Sequence, residues 1–326
     1  MILCISLNPA VDKMVKLDSI KIGSVNRGSL ESVHAGGKAV NVAYDLVLQG
    51  DDVILSGFVG GKAGSVITEE LKKRRIPFDF IKAVGETRTN MNYIDSAGNI
   101  TEILEGGHMV DARGEEEFLH LFRKLLDKAD MVVLSGSLPA GLNDDFYASL
   151  IDLANRREVP VALDASGESL VKAASHHPFL IKPNIREFEY LTGHSYDLST
   201  LDENFDAFIG SGEVKDKMLP DLKLLRSLGI MVICVTFGKQ GMLLYVKDEI
   251  VFCNAPKVDV VNTVGSGDCI LASLIHSFLK NASVHEAAVY ASAVASAHVT
   301  TLNVGDVDPK LVSELTKKVK RKIINV

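Results

Sequence analysis

The sequence predicts an α/β fold built on a mainly parallel sheet, and three features carry that prediction. Short apolar segments alternate with amphipathic helical stretches along most of the chain, as expected for buried strands with helices between them. The apolar segments end in polar or glycine-containing clusters: Asn8-Pro9, Ser135-Gly136-Ser137, Lys182-Pro183-Asn184 and Thr236-Phe237-Gly238. Open α/β sheets bind ligands at that edge. One hairpin pattern, 90–94 and 100–104 about the turn 95–99, interrupts the alternation and suggests a small separate sheet or lid.

Taken in order, residues 1–7 read as an apolar strand ending at Asn8-Pro9. Asp12 then falls either at the ligand edge or in a turn. Residues 13–32 alternate weakly, as short strands or loops do. From His34 to Asn41 two glycines precede Lys38, and Val40, Ala43, Tyr44, Val47 and Leu48 mark a helix closed by Gly50. This is not a phosphate loop of G-x-x-x-x-G-K-[ST] spacing, and no G-x-G-x-x-G follows the first strand. A buried strand over 53–60 and a helix over 65–75 come next, then the hairpin, with Arg88 and Asn90 at its base.

From Glu115 the alternation is regular: a helix, a strand over 131–134, a helix over 143–157, and strands over 161–164 and 179–181. Residues 195–222 are acidic and aperiodic at first, which suggests a surface excursion with a helix at its end. A strand over 231–235 follows, then a hairpin of 242–246 and 250–253 through Lys247-Asp248-Glu249. Two helices, 284–298 and 310–320, complete the chain.

The densest chemistry lies in 260–273, VVNTVGSGDCILAS. Ile270, Leu271, Leu274, Ile275 and Phe278 recur at helical spacing, so a helix starts near Gly267. Gly265, Ser266 and Gly267 then lie at its N-terminus, where unpaired amides and the dipole favour an anion. Asp268 adds a carboxylate on the first turn. Beside a nucleophile it can accept an alcohol's proton while the amides stabilise phosphoryl charge. Read alone, the segment is equally a glycine-rich turn with an aspartate complementing the helix dipole.

Composition narrows the function classes. The 326 residues are 47% hydrophobic, with a formal charge of −7 and a pI near 5.7, a balance that argues against a general nucleic-acid binder. No apolar run approaches the ~20 residues of a membrane span, and the start lacks the basic region of a signal peptide. Cys4, Cys234, Cys253 and Cys269 are scattered without metal-type spacing, which suggests reduced thiols and a cytoplasmic setting.

The conjunction of NPAVD, GGK-x-x-N, SGSLP, KPN-x-x-E and GSGD in this order is far more specific than any single piece. It closely resembles the ribokinase-like carbohydrate kinases in their phosphofructokinase-B branch, over essentially the whole chain. Gly85 to Asn90 matches the segment shared by 1-phosphofructokinases and tagatose-6-phosphate kinases. The resemblance implies one domain over 1–326, a three-layer αβα sandwich with a mainly parallel central sheet. It also implies a small β-sheet lid from about 11–33 and 86–105.

The implied activity is ATP-dependent phosphorylation of a ketohexose monophosphate, with fructose 1-phosphate to fructose 1,6-bisphosphate favoured. The alternatives are tagatose 6-phosphate or, further off, a neutral sugar or nucleoside. Carried over by position, Asp268 is the general base and Gly265, Ser266 and Gly267 the anion hole. Asp12, Gly37, Lys38, Asn41, Arg88 and Asn90 fall on the sugar side; Lys182, Thr236, Gly238 and Gly241 fall on the nucleotide side. Asn184 and Glu187 match the pair that acts on Mg²⁺ through water. A homodimer through the lid is implied, with Met91, Tyr93, Ile100 and Ile103 available for contact, and no nucleic-acid or membrane partner. Three positions depart from the pattern: Ala39 replaces a glycine, Thr236 stands where serine is common, and Cys269 follows the aspartate where serine is frequent. The sequence also counts against a silent sensor, which would not need GSGD and N-x-x-E intact, and against an oxidoreductase.

Overall fold

The computed structural model describes residues 1–203, 205–247, 249–302 and 307–325. Its strands are β1 (Ile2–Ser6), β2 (Ala10–Lys16), β3 (Ser29–Gly36), β4 (Val53–Val59), β5 (Phe78–Lys82), β6 (Arg88–Ile94), β7 (Ile100–Leu104), β8 (Met131–Ser135), β9 (Val161–Asp164), β10 (Leu180–Ile181), β11 (Val232–Thr236), β12 (Met242–Val246), β13 (Glu249–Cys253) and β14 (Arg321–Asn325). Its helices are α1 (Lys38–Leu48), α2 (Gly61–Lys73), α3 (Ala112–Leu126), α4 (Phe146–Asn155), α5 (Gly167–Ala174), α6 (Ile185–Thr192), α7 (Ser199–Glu203), α8 (Phe205–Gly210), α9 (Leu219–Ser227), α10 (Ser266–Leu279), α11 (Val284–His298) and α12 (Pro309–Thr316).

Ten strands form the main sheet in the order β14-β13-β12-β11-β10-β9-β8-β1-β4-β5. From β5 to β11 neighbours are parallel, and from β11 to β14 antiparallel. Successive residues of the central strands face opposite layers, as the pleat requires. Leu3 and Ile5 of β1, with Val132 and Leu134 of β8 and Ile233 of β11, pack against α3, α4 and α5. Ile2 and Cys4, with Met131, Val133 and Cys234, pack against α1, α2, α10 and α11. Both faces are therefore buried, which is why these strands read as unbroken apolar runs. Each buried Leu, Ile, Val or Phe contributes about 1.5–3 kcal/mol.

A second sheet of four strands, β3-β2-β6-β7, stands apart from the first. Its β2–β6 pairing is parallel and sets Asp12 opposite Asn90. Its β2–β3 pairing is antiparallel and sets Asp12 opposite His34. Asp12 is thus neither at the end of β1 nor in a turn: it lies within β2, on the small sheet.

Two expectations need correction. Residues 195–222 are not a simple surface excursion, because Tyr196, Leu201, Phe208, Ile209, Val214, Met218 and Leu222 are buried in the core. Apart from Tyr196, which precedes α7, they reach it from short helices and one π-helical segment, Glu213–Met218, whose irregular spacing hides the apolar period. The last helix stops at Thr316, and the chain then pairs β14 with β13. That five-residue strand, RKIIN, sets two isoleucines side by side with no period-2 alternation, so it does not stand out in the sequence. Residues 78–82, for which the sequence predicts no element, form β5, a parallel edge strand of the main sheet. Of the turn between β12 and β13, Lys247 has a left-handed φ of 56°, while Asp248 lies outside the described residues.

Candidate active site

Two helices open at the same edge of the main sheet and face each other. Helix α1 is preceded by Gly37 at φ 101°, and α10 by Gly265 at φ 83°, a region that glycine alone adopts freely. At Gly37 a Cβ would also stand 3.2 Å from the Cα of Pro9, so the start of α1 abuts the exit of β1. Asp268, in the first turn of α10, is buried at 6% exposure. Its Oδ2 accepts a hydrogen bond from Asn41 Nδ2 of α1 at 2.8 Å. The first-turn amides of α10, which the helix itself leaves without carbonyl partners, lie beside that carboxylate.

A charge cluster adjoins the pair. Asp164, at the end of β9 and fully buried, holds Lys38 Nζ at 2.9 Å and Lys182 Nζ at 3.1 Å. Lys38 Nζ also lies 3.6 Å from Glu187 Oε1. A Cβ at Gly267 would meet Lys182 Nζ at 3.4 Å, so this ammonium sits against the α10 N-terminus. Burial alone would raise the Asp164 carboxyl, but Lys182 and Lys38 outweigh it and hold it below the usual range. For Lys38 burial acts downward, and Asp164, Glu187 and Asp268 together push it up instead. Asp268 shifts the other way, up to about 7, first through burial and then through repulsion from Asp164. A carboxyl at that value is matched to proton transfer near neutral pH.

One end of the cleft is lined by polar side chains with unpartnered acceptors. Asn90 Nδ2 donates to Asp12 Oδ1 at 2.8 Å, and a Cβ at Gly36 would collide with the Asp12 carboxylate. Burial raises Asp12, with Asn90 and Arg88 opposing. The carboxamide oxygens of Asn8, Asn41, Asn90 and Asn92 and the hydroxyl of Ser135 are buried with no protein partner. Buried polar atoms left so are costly unless a ligand satisfies them, and all five residues line the cleft. Arg88 Nε donates to the Asn8 carbonyl at 3.1 Å, and its Nη1 to the Glu105 carbonyl at 3.3 Å.

The opposite end carries Thr236, Gly238 and Gly241, with Pro256, Val258, Ala295 and Val299 as apolar walls. Asn184 and Glu187 form a capping box at the start of α6: Asn184 Oδ1 accepts from the Glu187 amide at 3.0 Å, and Glu187 Oε2 from the Asn184 amide at 2.8 Å. The cleft has a volume of about 1190 Å³. Asp12, Gly37, Lys38, Asn41, Arg88, Asn90, Lys182, Asn184, Glu187, Thr236, Gly238, Gly241, Gly265, Ser266, Gly267 and Asp268 all line it.

Comparison with known proteins follows the same lines. The model of the pfkB family carbohydrate kinases matches residues 4–311. The chain belongs to this family. Tagatose-6-phosphate kinase of Staphylococcus epidermidis is 34% identical over 323 residues, 98% of each chain. Among solved structures, a Thermotoga maritima protein described as a possible 1-phosphofructokinase is 25% identical with a TM-score of 0.82, covering 99% of both chains. Phosphofructokinase-2 from Escherichia coli in complex with potassium is 21% identical with a TM-score of 0.84, covering 97% of this chain and 98% of that one. This pfkB kinase is an ATP-dependent phosphotransferase, with the ribokinase-like α/β fold.

Sequence reasoning passed over several residues that the cleft of this pfkB kinase contains. Asp164 is the hub of its charge cluster, and its signal was a carboxylate closing an apolar strand, VALD. Asn8 and Ser135 stand at strand ends and were legible as edge residues, though not as unpartnered acceptors. The apolar walls Pro256, Val258, Ala295 and Val299 had no signal, since a loop and a small-residue helix face converge there only in three dimensions.

Proposed function

We propose that this pfkB kinase phosphorylates a ketohexose monophosphate, with Asp268 as general base. The observation that carries the reading is the place of Asp268: buried, at the first turn of α10, held by Asn41, between the unpartnered polar end of the cleft and the end with apolar walls. An acceptor hydroxyl held by Asp12, Asn41 and Asn90 attacks the γ-phosphorus of ATP. The bond from that phosphorus to the β–γ bridging oxygen breaks, ADP leaves, and the hydroxyl proton passes to the Asp268 carboxylate. The amides of Gly265, Ser266 and Gly267, with Lys182 beside them, stabilise the charge on the moving phosphoryl group. Thr236, Gly238 and Gly241 border the nucleotide. Arg88, with donors beyond those braced on backbone carbonyls, faces the phosphate the sugar already carries.

The oxygen donors near Thr236 and Gly238, at the other end of the cleft, fit a magnesium ion that keeps its water. Asp164 is committed to two lysines, and Glu187 and Asn184 cap α6, so direct ligation has few free oxygens. Through water, Glu187 Oε1 and Asn184 would hold a hydrated ion against the nucleotide phosphates, where magnesium neutralises charge.

Two acceptors compete within this reading. The full-length relative at 34% identity is named for tagatose 6-phosphate, which moves that sugar ahead of the fructose 1-phosphate favoured from motifs alone. ADP release from a panel of sugars and sugar phosphates with ATP and Mg²⁺ decides between them. Turnover confined to neutral sugars or nucleosides would refute the reading. The small sheet serves as a lid on the sugar, and pairs with that of a second copy. A cytoplasmic setting suits an enzyme of ATP and sugar phosphates, and no described helix is long and apolar enough to cross a membrane.

A further inference from the structure

Behind the first turn of α10, outside the cleft, three buried side chains from three helices converge: Asp45 of α1, Cys269 of α10 and His298 of α11. Their exposures are 2%, 0% and 1%. Cys269 Sγ lies 2.8 Å from Asp45 Oδ2 and 3.0 Å from His298 Nδ1. His298 Nε2 lies 2.8 Å from the carbonyl oxygen of Val264. A carbonyl only accepts, so Nε2 carries the ring proton and Nδ1 turns its lone pair towards the sulfur.

We propose that Asp45, Cys269 and His298 bind a thiophilic divalent metal ion, with zinc the best match. One sulfur, one nitrogen and one oxygen donor suit an ion of borderline softness. An imidazole whose second nitrogen donates to a backbone carbonyl has the usual outer-shell support of a metal ligand. The charge balance points the same way. Asp45 Oδ2 is met by the Cys269 thiol, an acid and not a cation, and a buried Asp without a cationic partner is rare. When the ion enters, the Sγ–H bond of Cys269 breaks, a sulfur–metal bond forms, and the proton leaves to solvent. Carboxylate, thiolate and neutral imidazole then balance a charge of two. The present spacings are hydrogen-bond lengths, and donors around tetrahedral zinc stand about 3.5 Å apart, so the side chains open slightly as the proton departs.

The ligands escaped the sequence reading because Asp45 and Cys269 are 224 residues apart, and Cys269 and His298 29. A bound ion would tie α1 to α10, and through His298 to the loop that leads into Gly265. The proposal stands apart from the kinase reading, because its test measures binding alone.

Full-length protein stripped with a chelator is titrated with Zn²⁺ and, separately, with Co²⁺. The expected results are one zinc per chain after gel filtration and a sulfur-to-cobalt charge-transfer band in the near ultraviolet. Cys269→Ser keeps a hydrogen-bonding group of similar size but removes the thiolate. It should abolish the band and weaken zinc binding at least tenfold, with the circular dichroism spectrum unchanged. Asp45→Asn, which keeps the shape, should weaken zinc binding at least tenfold and retain the band; it serves if the cysteine variant does not fold. No stoichiometric zinc on the parent chain overturns the site. So does zinc binding that both variants leave unchanged.

Discussion

Asn41 Nδ2 donates to Asp268 Oδ2 at 2.8 Å across 227 residues of chain. The bond joins the first turns of two helices, α1 and α10, which both begin after a glycine of positive φ. It fixes one carboxylate oxygen and leaves Oδ1 for the cleft. The side chain proposed as base is thus oriented before any substrate arrives, which is what a general base requires.

Asp268→Asn is expected to lower kcat by about 10²–10⁴-fold. The amide keeps the shape and a hydrogen-bonding oxygen but is a far weaker base. ATP binding, followed by calorimetry, should persist, because the α10 amides and the end proposed for the nucleotide are untouched. Turnover near that of the parent enzyme would remove Asp268 from the chemistry.

Asp164→Asn is expected to be costly for stability. The substitution leaves Lys182, buried, and Lys38, partly solvated, without their shared carboxylate. Breaking a buried pair costs about 3–5 kcal/mol, and the exposure of Lys38 points to the lower end. The folded carboxyl lies below its unfolded value, so its stabilisation is present above about pH 4 and fades as pH falls further. Thermal melts from pH 7 to pH 3 should show the parent losing stability on the acid side, with the variant lower at pH 7 and less sensitive. Equal melts at pH 7 would show that the cluster contributes nothing.

Much of this was legible in the chain. Buried parallel strands betray themselves as apolar runs, and Gly37 and Gly265 mark helix starts, so the main sheet and the α10 turn were visible. Asp12 was reached only through the family resemblance, because its place in the fold depends on the register that sets it opposite Asn90, and pairing between distant strands leaves no local trace. Residues 195–222 misled for a related reason: Phe208 and Val214 reach the core from short and π-helical turns without a 3.6-residue period. Asp164 and the apolar walls of the cleft acquire their roles only from what folds against them.

Arg88→Ala is expected to raise KM for the sugar phosphate steeply and leave KM for ATP nearly unchanged. Losing a charge-assisted contact to phosphate costs roughly 1.5–3 kcal/mol, on the order of ten- to a hundred-fold in kcat/KM. The residue also braces the carbonyls of Asn8 and Glu105, so a modest fall in Tm should accompany the kinetic change. Arg88→Lys separates the two effects, because it keeps the charge without the planar fork and should recover part of the KM. A lower Tm with both KM values unchanged would assign Arg88 to bracing alone.

The outer face of the small sheet is expected to meet a second copy of the chain. On β6 and β7, Asn90, Asn92, Glu102 and Leu104 line the cleft, so strand alternation sends Met91 and Ile103 to the other face. Register joins them in one row: Val33 opposite Lys13, Lys13 opposite Met91, and Met91 opposite Ile103. Within that row Ile103 is 56% exposed and Val33 38%. The sheet's outer strands, β3 and β7, are also its edges, and unprotected edges with apolar side chains invite pairing. Light scattering at micromolar concentration should therefore report about twice the 35.3 kDa chain mass. Ile103→Lys places a charge at the exposed end of the row, on β7, without disturbing the cleft face, and should shift the protein to a monomer with an unchanged circular dichroism spectrum. A parent chain that scatters as a monomer would exclude the dimer. A variant that stays dimeric would move the interface away from this face.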